Sequence, residues 1–293
     1  MQVMGPDVSH FQAQVDWAKV AAHGEAFGAC KATDGLTSVD PRFASNWAGM
    51  QDAGIAVRIA YHYAHIESSA VSQADHFVST VGAVGPGQVL CLDAEDVCAE
   101  SAKIPPPKTA AWVASFLDRL RTSTGLPPER ILLYTGAWWW DPRTGRSKAG
   151  AAHPLWVSDY SHHPPRLPSG WSDWVLHQYT SEDHVPGVGT QVDRSRFNGS
   201  VERLHALAGL TPAPGPQVGL PVLQNLGLMA RNADVRSLQK QLVAKGFPVV
   251  VDGFYGPQTR AAIASFQRSR PELDGDPDGL VGPLTLRLLF ADG

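Results

Sequence analysis

Two acidic residues follow an apolar run in the first half of the chain. Residues 88–93 have the composition of a buried strand, and Asp93 and Glu95 stand at its carboxyl end. Because side chains alternate along a strand, both carboxyl groups share one face, roughly 6.6 Å apart along the backbone at ~3.3 Å per residue. Retaining glycosidases hold two carboxyl groups about 5 Å apart, and inverting ones about 6.5–9.5 Å apart. The pair therefore indicates hydrolysis of a glycosidic bond, with either stereochemistry, although an isolated D-x-E also fits a capping Asp beside a solvated Glu.

Two further acids occupy similar contexts. Asp7 lies at the first predicted strand, and Asp193 lies near the last one. Closure of the sheet into a barrel would bring both beside Asp93 and Glu95, because barrel enzymes collect their chemistry at the strand ends. Crowded carboxylates raise one another's pKa, which keeps a glutamic acid protonated near neutral pH. Glu95 is therefore the candidate general acid, although ordinary loop capping is an equal alternative for Asp7 and Asp193.

Aromatic residues also recur after the predicted strands. Sugar rings stack their C–H faces on aromatic planes, while tyrosine hydroxyls and an amide side chain can bind their hydroxyl and acetamido groups. Many of these aromatics would serve in the core, and only their clustering at strand ends indicates a site. The candidate substrate-binding residues are Tyr61, Tyr134, Trp156, Tyr160 and Gln178.

The elements that would position these groups alternate between strands and helices. Helical spacing covers residues 40–53, 69–81 and 108–124, whereas 137–178 is rich in loops. This rhythm predicts an α/β fold, an irregular TIM-like β/α barrel of parallel strands from which some outer helices are missing. The predicted strands are 27–32, 56–63, 88–93, 131–135, 155–158 and 174–179.

A change of pattern divides the chain into three parts. Residues 1–208 form the predicted catalytic barrel, 209–224 a linker rich in Pro and Gly, and 225–293 a small helical domain. The last part contains predicted helices over 233–245 and 257–267, and an internal repeat in which the turn Asp252-Gly253 recurs as Asp278-Gly279. A proline follows each turn at a position suited to the start of a helix. With a thin core, this domain suits adhesion better than catalysis.

Composition excludes several functions. The net charge of −4 provides no basic surface for nucleic acid, and no apolar run approaches the roughly 20 residues of a membrane span. The amino terminus lacks the basic start and apolar middle of a secretory signal. Three cysteines are too few for a disulfide framework. We find no H-E-x-x-H zinc motif and no phosphate-binding loop, so we expect no metal and no cofactor. Because no apolar run is long enough to span a bilayer, we also expect no stable membrane association.

Several segments together resemble the glycoside hydrolase family 25 lysozymes, the Chalaropsis-type N-acetylmuramidases, over about residues 1–208. Residues 233–290 similarly resemble the peptidoglycan-binding domain type 1. Two positions depart from the family pattern, since Asp34 stands where Glu is frequent and His177 where Trp is usual. The matching segments include Asp7-Val8-Ser9-His10, Lys31-Ala32-Thr33-Asp34-Gly35, Leu92-Asp93-Ala94-Glu95, Gln178-Tyr179-Thr180 and Val192-Asp193.

The resemblance implies an enzyme that hydrolyses the β-1,4 bond between N-acetylmuramic acid and N-acetylglucosamine in bacterial peptidoglycan. It assigns Glu95 as the acid and Asp93 as its partner, with Asp7 and Asp193 completing the acidic mouth. We expect Asp93 to act through the acetamido group of the substrate, since substrate-assisted hydrolases are a recognised exception to the two-carboxylate scheme. The domain pair suggests a bacteriophage endolysin that waits in the host cytoplasm until a holin gives it access to the wall.

Three other functions remain open at this point. A chitinase-like barrel would also use strand-end acids and aromatics, and chitin would be its substrate. A catalytically silent wall-binding protein would use both domains for adhesion only. A metal-dependent amidase or peptidase joined to the same helical domain would be sensitive to chelators and would release free amino groups.

Overall fold

The computed structural model describes residues 2–210, 231–273 and 277–290. These residues form two compact units, one within 2–210 and the other within 231–290. The predicted linker lies outside the described residues except at 209 and 210. The predicted domain boundaries therefore remain a prediction, and we describe each unit by itself.

A closed sheet forms the centre of the first unit. Within the described residues, the strand order is β1-β9-β8-β7-β6-β5-β4-β2-β3, and β1 also pairs with β2, which closes eight strands into a barrel. Neighbouring strands are parallel except around β9, which is antiparallel to both β1 and β8, and at the short β3. The strands are β1 Met4–Val8, β2 Phe27–Asp34, β3 Ser38–Val39, β4 Val57–Tyr63, β5 Gln88–Asp93, β6 Ile131–Thr135, β7 Leu155–Ser158, β8 Leu176–Asp183 and β9 Val192–Phe197.

Helices pack around this barrel. Side chains at the helix starts satisfy free backbone N–H groups, as where Ser69 caps α3 and Asp16 caps α1. Short 3₁₀ helices add His10–Gln12, Ser101–Lys103 and Pro128–Arg130. The α-helices of this unit are α1 Trp17–Ala22, α2 Phe43–Asp52, α3 Ala70–Val81, α4 Pro106–Thr124, α5 Ala137–Thr144 and α6 Val201–Leu207.

The irregular barrel predicted from the sequence is confirmed, with local differences. No helix joins β7 to β8 within the described residues, as expected for a barrel that lacks some outer helices. One short helix, α5, nevertheless begins the segment that we expected to be irregular, because Gly136 and Gly145 bound eight residues that bury Trp139 and Trp140. Strand β8 begins two residues later than predicted and runs four residues further, since it pairs with the antiparallel β9.

The barrel separates two layers of apolar side chains. On β5, Val89 and Cys91 belong to the cluster that fills the barrel, whereas Leu90 and Leu92 pack outward against the helices. This alternation follows from the period of two along a strand. The next inward positions after Cys91 are Asp93 and then 95, so the strand directs the acid pair to the mouth of the barrel.

The described residues of the second unit form three α-helices, as predicted for a small three-helix domain. Its described helices are α7 Ala233–Ala244, α8 Pro257–Arg268 and α9 Pro283–Phe290, with a 3₁₀ helix at Pro271–Leu273. Their apolar faces meet around Leu238, Tyr255 and Phe266, each of which is completely buried. A core of this size gives a small unit little stability to spare.

Two buried glutamines hold the repeated turns in the same way. The Gln239 amide donates to the carboxylate of Asp252, and its carbonyl oxygen accepts from the N–H of Gly253 at 2.7 Å. In the second copy, Gln267 makes the matching contacts with Asp278 and Gly279. Both glycines have a positive φ, 76° and 70°, which glycine adopts without steric cost. The repeat found in the sequence is therefore a repeat of structure.

None of the helices in the described ranges combines the length and the apolar character that a membrane crossing requires.

Candidate active site

The four predicted acids meet at one end of the barrel. Asp7, Asp93 and Asp193 occupy inward positions at the carboxyl or mouth-side ends of β1, β5 and β9, and Glu95 follows two residues after Asp93. Their mutual electrostatic effects confirm the proximity, since Glu95 raises the pKa of both Asp7 and Asp93. The structure therefore brings together the acids that are far apart in the sequence.

Asp7 and Asp193 stand directly opposite each other. Their Cα atoms are partners in the antiparallel pairing of β1 with β9. Side chains at such positions lie about 4.5–5.5 Å apart at Cβ, and like charges there are unfavourable. Burial and the charge of Asp193 raise the pKa of Asp7 well above its ordinary value, and burial raises the pKa of Asp193 to about 6. The pair therefore holds protons at pH values where isolated aspartates are ionised.

Asp93 and Asp7 are the two most buried acids of the mouth. Asp93 is 7% exposed, and its Oδ1 atom accepts no hydrogen bond from any described residue. Burial is the largest cause that raises its pKa well above 3.8, and the charge of Glu95 adds to it, while Lys31 acts in the opposite direction. A buried oxygen without a hydrogen-bond donor favours the protonated form of the carboxyl group, in agreement with the raised pKa.

Glu95 has the protonation behaviour of a general acid. Burial and, to a smaller extent, the charge of Asp193 raise its pKa, and the net value is about 7. A hydrogen bond with Tyr134 and the charge of Lys31 lower it, so the final value reflects opposing effects. A carboxyl group with this pKa is half protonated near neutral pH, and catalytic acids work best when their pKa lies near the operating pH.

Gln178 connects three of the predicted site residues. Its Oε1 atom accepts hydrogen bonds from the hydroxyl groups of Tyr134, at 2.8 Å, and Tyr160, at 2.6 Å. Its amide nitrogen donates to Oδ2 of Asp7 at 3.1 Å. Because Gln178 is 4% exposed, this network fixes the two tyrosines and the aspartate relative to one another.

The remaining predicted aromatics differ in exposure. Tyr160 is 52% exposed and offers a ring face at the mouth, whereas Trp156 is 2% exposed. The indole of Trp156 donates to Ser195 at 2.9 Å and packs edge-on against Tyr134, so it supports the tyrosine from inside the barrel. The hydroxyl of Tyr61 donates to the carbonyl of Val8 at 3.3 Å.

Lys31 is a further residue of the candidate site, and the sequence analysis did not predict it. It has the inward parity of Phe27 and Ala29 on β2, its ammonium group lies 4.8 Å from the ring centroid of Tyr63, and its charge lowers the pKa of Asp93 and Glu95. The sequence did contain one indication of this role. A lysine is unusual at an inward position of a strand whose other inward residues are buried and apolar.

The two positions that depart from the family pattern have clear roles. His177 points away from the barrel interior, where its Nε2 lies 2.6 Å from the carbonyl oxygen of Asp159. Its replacement of a tryptophan therefore acts on the outer wall. Asp34 lies next to the mouth and holds Lys31, with 2.9 Å between Oδ2 and Nζ.

One group of side chains has the composition of a metal site. In the described part of the chain, Glu67, Asp96 and Cys98 bring three potential ligand atoms within 4.8 Å of one another. The carboxylate of Asp96, however, accepts hydrogen bonds from the backbone N–H groups of Ile66 and Cys98 and contacts the hydroxyl of Ser101. These oxygens are therefore used inside the protein.

Comparison with known proteins adds the family. Residues 6–188 match the family described as Glycosyl hydrolases family 25. The chain belongs to glycosyl hydrolase family 25. It is accordingly a glycoside hydrolase, and the mouth described above is the candidate active site of a family 25 enzyme. Residues 231–289 match a peptidoglycan binding domain family, which covers the helical unit.

Relatives of this family 25 hydrolase include named enzymes. It is 36% identical to lysozyme M1 of Streptomyces globisporus over 71% of this chain and 72% of that protein. It is 32% identical to the N,O-diacetylmuramidase of Chalaropsis sp over 70% of this chain and 99% of that protein. The solved bacterial lysozyme from Streptomyces coelicolor superposes with a TM-score of 0.66 at 35% identity, over 72% of this chain and 99% of that one.

Proposed function

We propose that this hydrolase cleaves the β-1,4 bond between N-acetylmuramic acid and N-acetylglucosamine in bacterial peptidoglycan, with Glu95 as the general acid. The observation that carries the proposal is the meeting of Glu95 with Asp7, Asp93 and Asp193 at the mouth of the barrel, where the pKa of Glu95 is raised to about 7, chiefly by burial. At neutral pH about half of the molecules then hold the proton that the leaving oxygen needs. The relatives named lysozyme and N,O-diacetylmuramidase support the choice of substrate.

The first step breaks the bond between the anomeric carbon and the bridging oxygen. Glu95 gives its proton to the bridging oxygen. The acetamido oxygen of the sugar that contains the anomeric carbon attacks that carbon from the side opposite to the bridging oxygen. The ionised carboxylate of Asp93 accepts a hydrogen bond from the acetamido N–H, which orients the acetamido oxygen and balances the developing positive charge. The leaving sugar departs with the proton as a free alcohol.

The second step restores both the enzyme and the acetamido group. The ionised Glu95 takes a proton from water, whose oxygen forms the new bond at the anomeric carbon as the bond to the acetamido oxygen breaks. This route makes a short separation between two carboxyl groups unnecessary. Asp7 and Asp193 stay close by as a partly protonated pair that keeps Gln178 and its tyrosines in position.

The substrate-binding residues in this proposal surround the acids. Tyr160 offers an exposed ring for stacking on a sugar face, and Gln178 and Tyr134 offer polar atoms to its substituents. Tyr61 and the buried Trp156 form the wall that keeps these groups in place. Burial of apolar ring area together with a few placed polar groups is the usual composition of a ligand site.

Analysis of the products tests this function. Purified peptidoglycan digested with the full chain should yield fragments that end in reducing N-acetylmuramic acid, identified by mass spectrometry. Glu95→Gln should abolish most turnover and leave wall binding intact, while Glu202→Gln, an exposed glutamate on α6, serves as the matched control. Retained lysis by Glu95→Gln, or release of free amino groups in a chelator-sensitive reaction, would contradict the proposal, and preferential cleavage of chitin would favour a chitinase.

We further propose that the helical unit holds the enzyme on peptidoglycan. The match of residues 231–289 to a peptidoglycan binding domain family supports this role. Either the glycan or the stem peptide could be its ligand. A pull-down on purified walls, repeated with walls from which the stem peptides have been removed, distinguishes the two ligands.

We propose finally that the protein serves as a bacteriophage endolysin, which stays in the host cytoplasm until a holin opens the membrane. The pairing of a glycoside hydrolase with a wall-binding unit supports this role. Expression in a susceptible bacterium should leave the culture turbid until a holin is coexpressed, after which turbidity falls. Lysis without the holin would refute the dependence.

A further inference from the structure

A histidine lies between two carboxylates at the edge of the acidic mouth. His65 follows β4, and Gln73 fixes its backbone from both sides, since the Gln73 amide donates to the His65 carbonyl at 2.7 Å and its Oε1 accepts from the His65 N–H at 3.0 Å. The ring packs on the backbone of Gly35, where an added Cβ would lie 3.1 Å from the imidazole. The position of this ring is therefore determined by its surroundings.

Both ring nitrogens of His65 contact acids. Nε2 lies 2.8 Å from Oδ1 of Asp34, and Nδ1 lies 3.1 Å from Oε1 of Glu67. A neutral imidazole carries one N–H and can donate to only one carboxylate, whereas the imidazolium donates to both. The arrangement therefore fits the protonated ring.

The electrostatics of the ring agree with this geometry. Partial burial lowers the pKa of His65, but its hydrogen bonds to Glu67 and Asp34 outweigh burial and raise the pKa above its ordinary value of 6.5. Conversely, the pKa values of Asp34 and Glu67 are lowered, although burial acts against this in both.

Asp34, one of these two carboxylates, also contacts the ammonium group of Lys31. Asp34 uses Oδ1 for His65 and Oδ2 for Lys31, with 2.9 Å between Oδ2 and the Lys31 ammonium. The positive charge of Lys31 lowers the pKa of both Asp93 and Glu95. Asp34 therefore connects the ring of His65 to this positive charge through its two carboxylate oxygens.

Glu67, the other carboxylate, contacts the loop that contains Glu95 and Asp96. Oε2 of Glu67 accepts a hydrogen bond from the hydroxyl of Ser101 at 2.6 Å, and the same hydroxyl contacts the carboxylate of Asp96. Asp96 directly follows Glu95 in the chain. Its carbonyl oxygen also accepts from the indole of Trp139 at 2.7 Å, so the backbone next to Glu95 is held from two directions.

We propose that His65 is a positioning residue whose imidazolium joins Asp34 and Lys31 to Glu67 and the loop of Glu95. This inference rests on the proposed function, because it assigns a pH-dependent part of that reaction to a residue that does not touch the substrate. When the ring loses its proton, one of its two carboxylates loses its donor, and the cation and the loop are no longer held together.

The other titratable groups around His65 come from β4 and α3. Tyr63, at the end of β4, meets the ring edge-on at 5.8 Å between centroids. His62, also on β4, is buried, and burial lowers its pKa to about 4, so it stays neutral while His65 titrates. From α3, His76 contacts the carbonyl of Ser38 through Nε2.

The sign of the pH effect follows from the raised pKa. The double contact of His65 is complete below pH 6.5 and is lost as the pH rises through the higher pKa of the folded protein. Activity should therefore contain a component that declines over this range, in addition to the ionisation of Glu95.

The pH dependence of the ratio of wild-type kcat to that of His65→Gln tests the proposal. We expect a ratio of about tenfold near pH 5.5, below the ~100-fold cost of a 1 Å misplacement, and a ratio that falls toward one as the imidazolium disappears. His205→Gln, on α6, is the matched control and should keep a ratio near one. A constant ratio at every pH would mean a merely structural histidine and would overturn the proposal.

NMR titration of the imidazole provides a second measurement. The pKa of His65 should fall in Glu67→Gln, because one of the two acceptors of the imidazolium loses its negative charge, and the decline of the kcat ratio should move to lower pH with it. An unchanged pKa in this variant would also overturn the proposal. If wild-type protein has no hydrolytic activity, the proposed function fails, whereas the NMR titration still tests the histidine contact by itself.

Discussion

The raised pKa of Glu95 has a consequence for stability as well as for catalysis. The difference between its ordinary value of 4.5 and about 7 in the folded protein corresponds to about 3 kcal/mol, because each pKa unit is worth 1.36 kcal/mol. The folded state binds the proton more tightly than the unfolded state does. The free energy of unfolding therefore decreases by up to about this amount as the pH rises from 4.5 to above 7.

Glu95→Gln removes the ionisation and should thus stabilise the barrel at alkaline pH. An amide of the same shape has no charge to bury, so the gain approaches about 3 kcal/mol near pH 8.5 and disappears below pH 4.5. For a barrel of this size, about 2–4 °C in Tm per kcal/mol gives an increase of up to roughly 6–12 °C. The variant should also be catalytically inactive, so stability and activity change in opposite directions.

Calorimetry of the full chain at about pH 4 and about pH 8.5 measures this effect. The transition of the barrel should rise in the variant only at the higher pH, and Glu202→Gln should leave it unchanged at both. An equal Tm for wild type and Glu95→Gln at the higher pH would refute the reasoning that burial holds the proton on Glu95. A rise of the same size at both pH values would show improved packing in place of a removed charge.

Three other changes test separate parts of the structure. Asp193→Asn removes a charge that raises the pKa of Glu95, so the alkaline limb of the kcat profile should move to lower pH. Gln239→Leu leaves a buried turn N–H without its acceptor, at a cost of about 1–3 kcal/mol, and should reduce wall binding and the thermal stability of the helical unit while catalysis on soluble fragments continues. Gly136→Ala would place Cβ 2.6 Å from the backbone carbonyl oxygen of Ser158, which cannot move aside without shifting β7, so thermal unfolding should occur at a lower temperature.

Much of the candidate active site could be predicted from the sequence, because side chains alternate with a period of two along a strand. Apolar residues at 89 and 91 already place Asp93 and Glu95 on one face, and the barrel interior is where that face lies. The repeated Asp-Gly turns before Pro257 and Pro283 likewise identified two helix starts. Local patterns of this kind depend only on neighbours in the chain.

Other features depended on the closure of the barrel. Strand β9 runs antiparallel, and the register that sets Asp193 opposite Asp7 depends on pairings at both of its edges. The hydrogen bond between Gln178 and Asp7 joins residues 171 positions apart. No local pattern contains such a pairing, because the free energy that selects it comes from packing of the complete sheet.

The aromatic residues and Lys31 also show that the sequence gives the residue type, whereas the folded barrel gives its environment. Tyr160 and Trp156 belong to the same strand region, yet one is 52% exposed and the other 2%. Residue type could not distinguish these two environments, and the role of Lys31 became visible only beside Asp93 and Glu95.

The sequence by itself determined which residues carry acids, which strands deliver them and where a second small unit follows. Only the tertiary structure decided which acids hold protons, because a pKa depends on burial and on charges that folding brings together from distant parts of the chain. The acidic residues and their places at the strand ends therefore follow from local sequence. Their protonation states depend on the closed barrel as a whole.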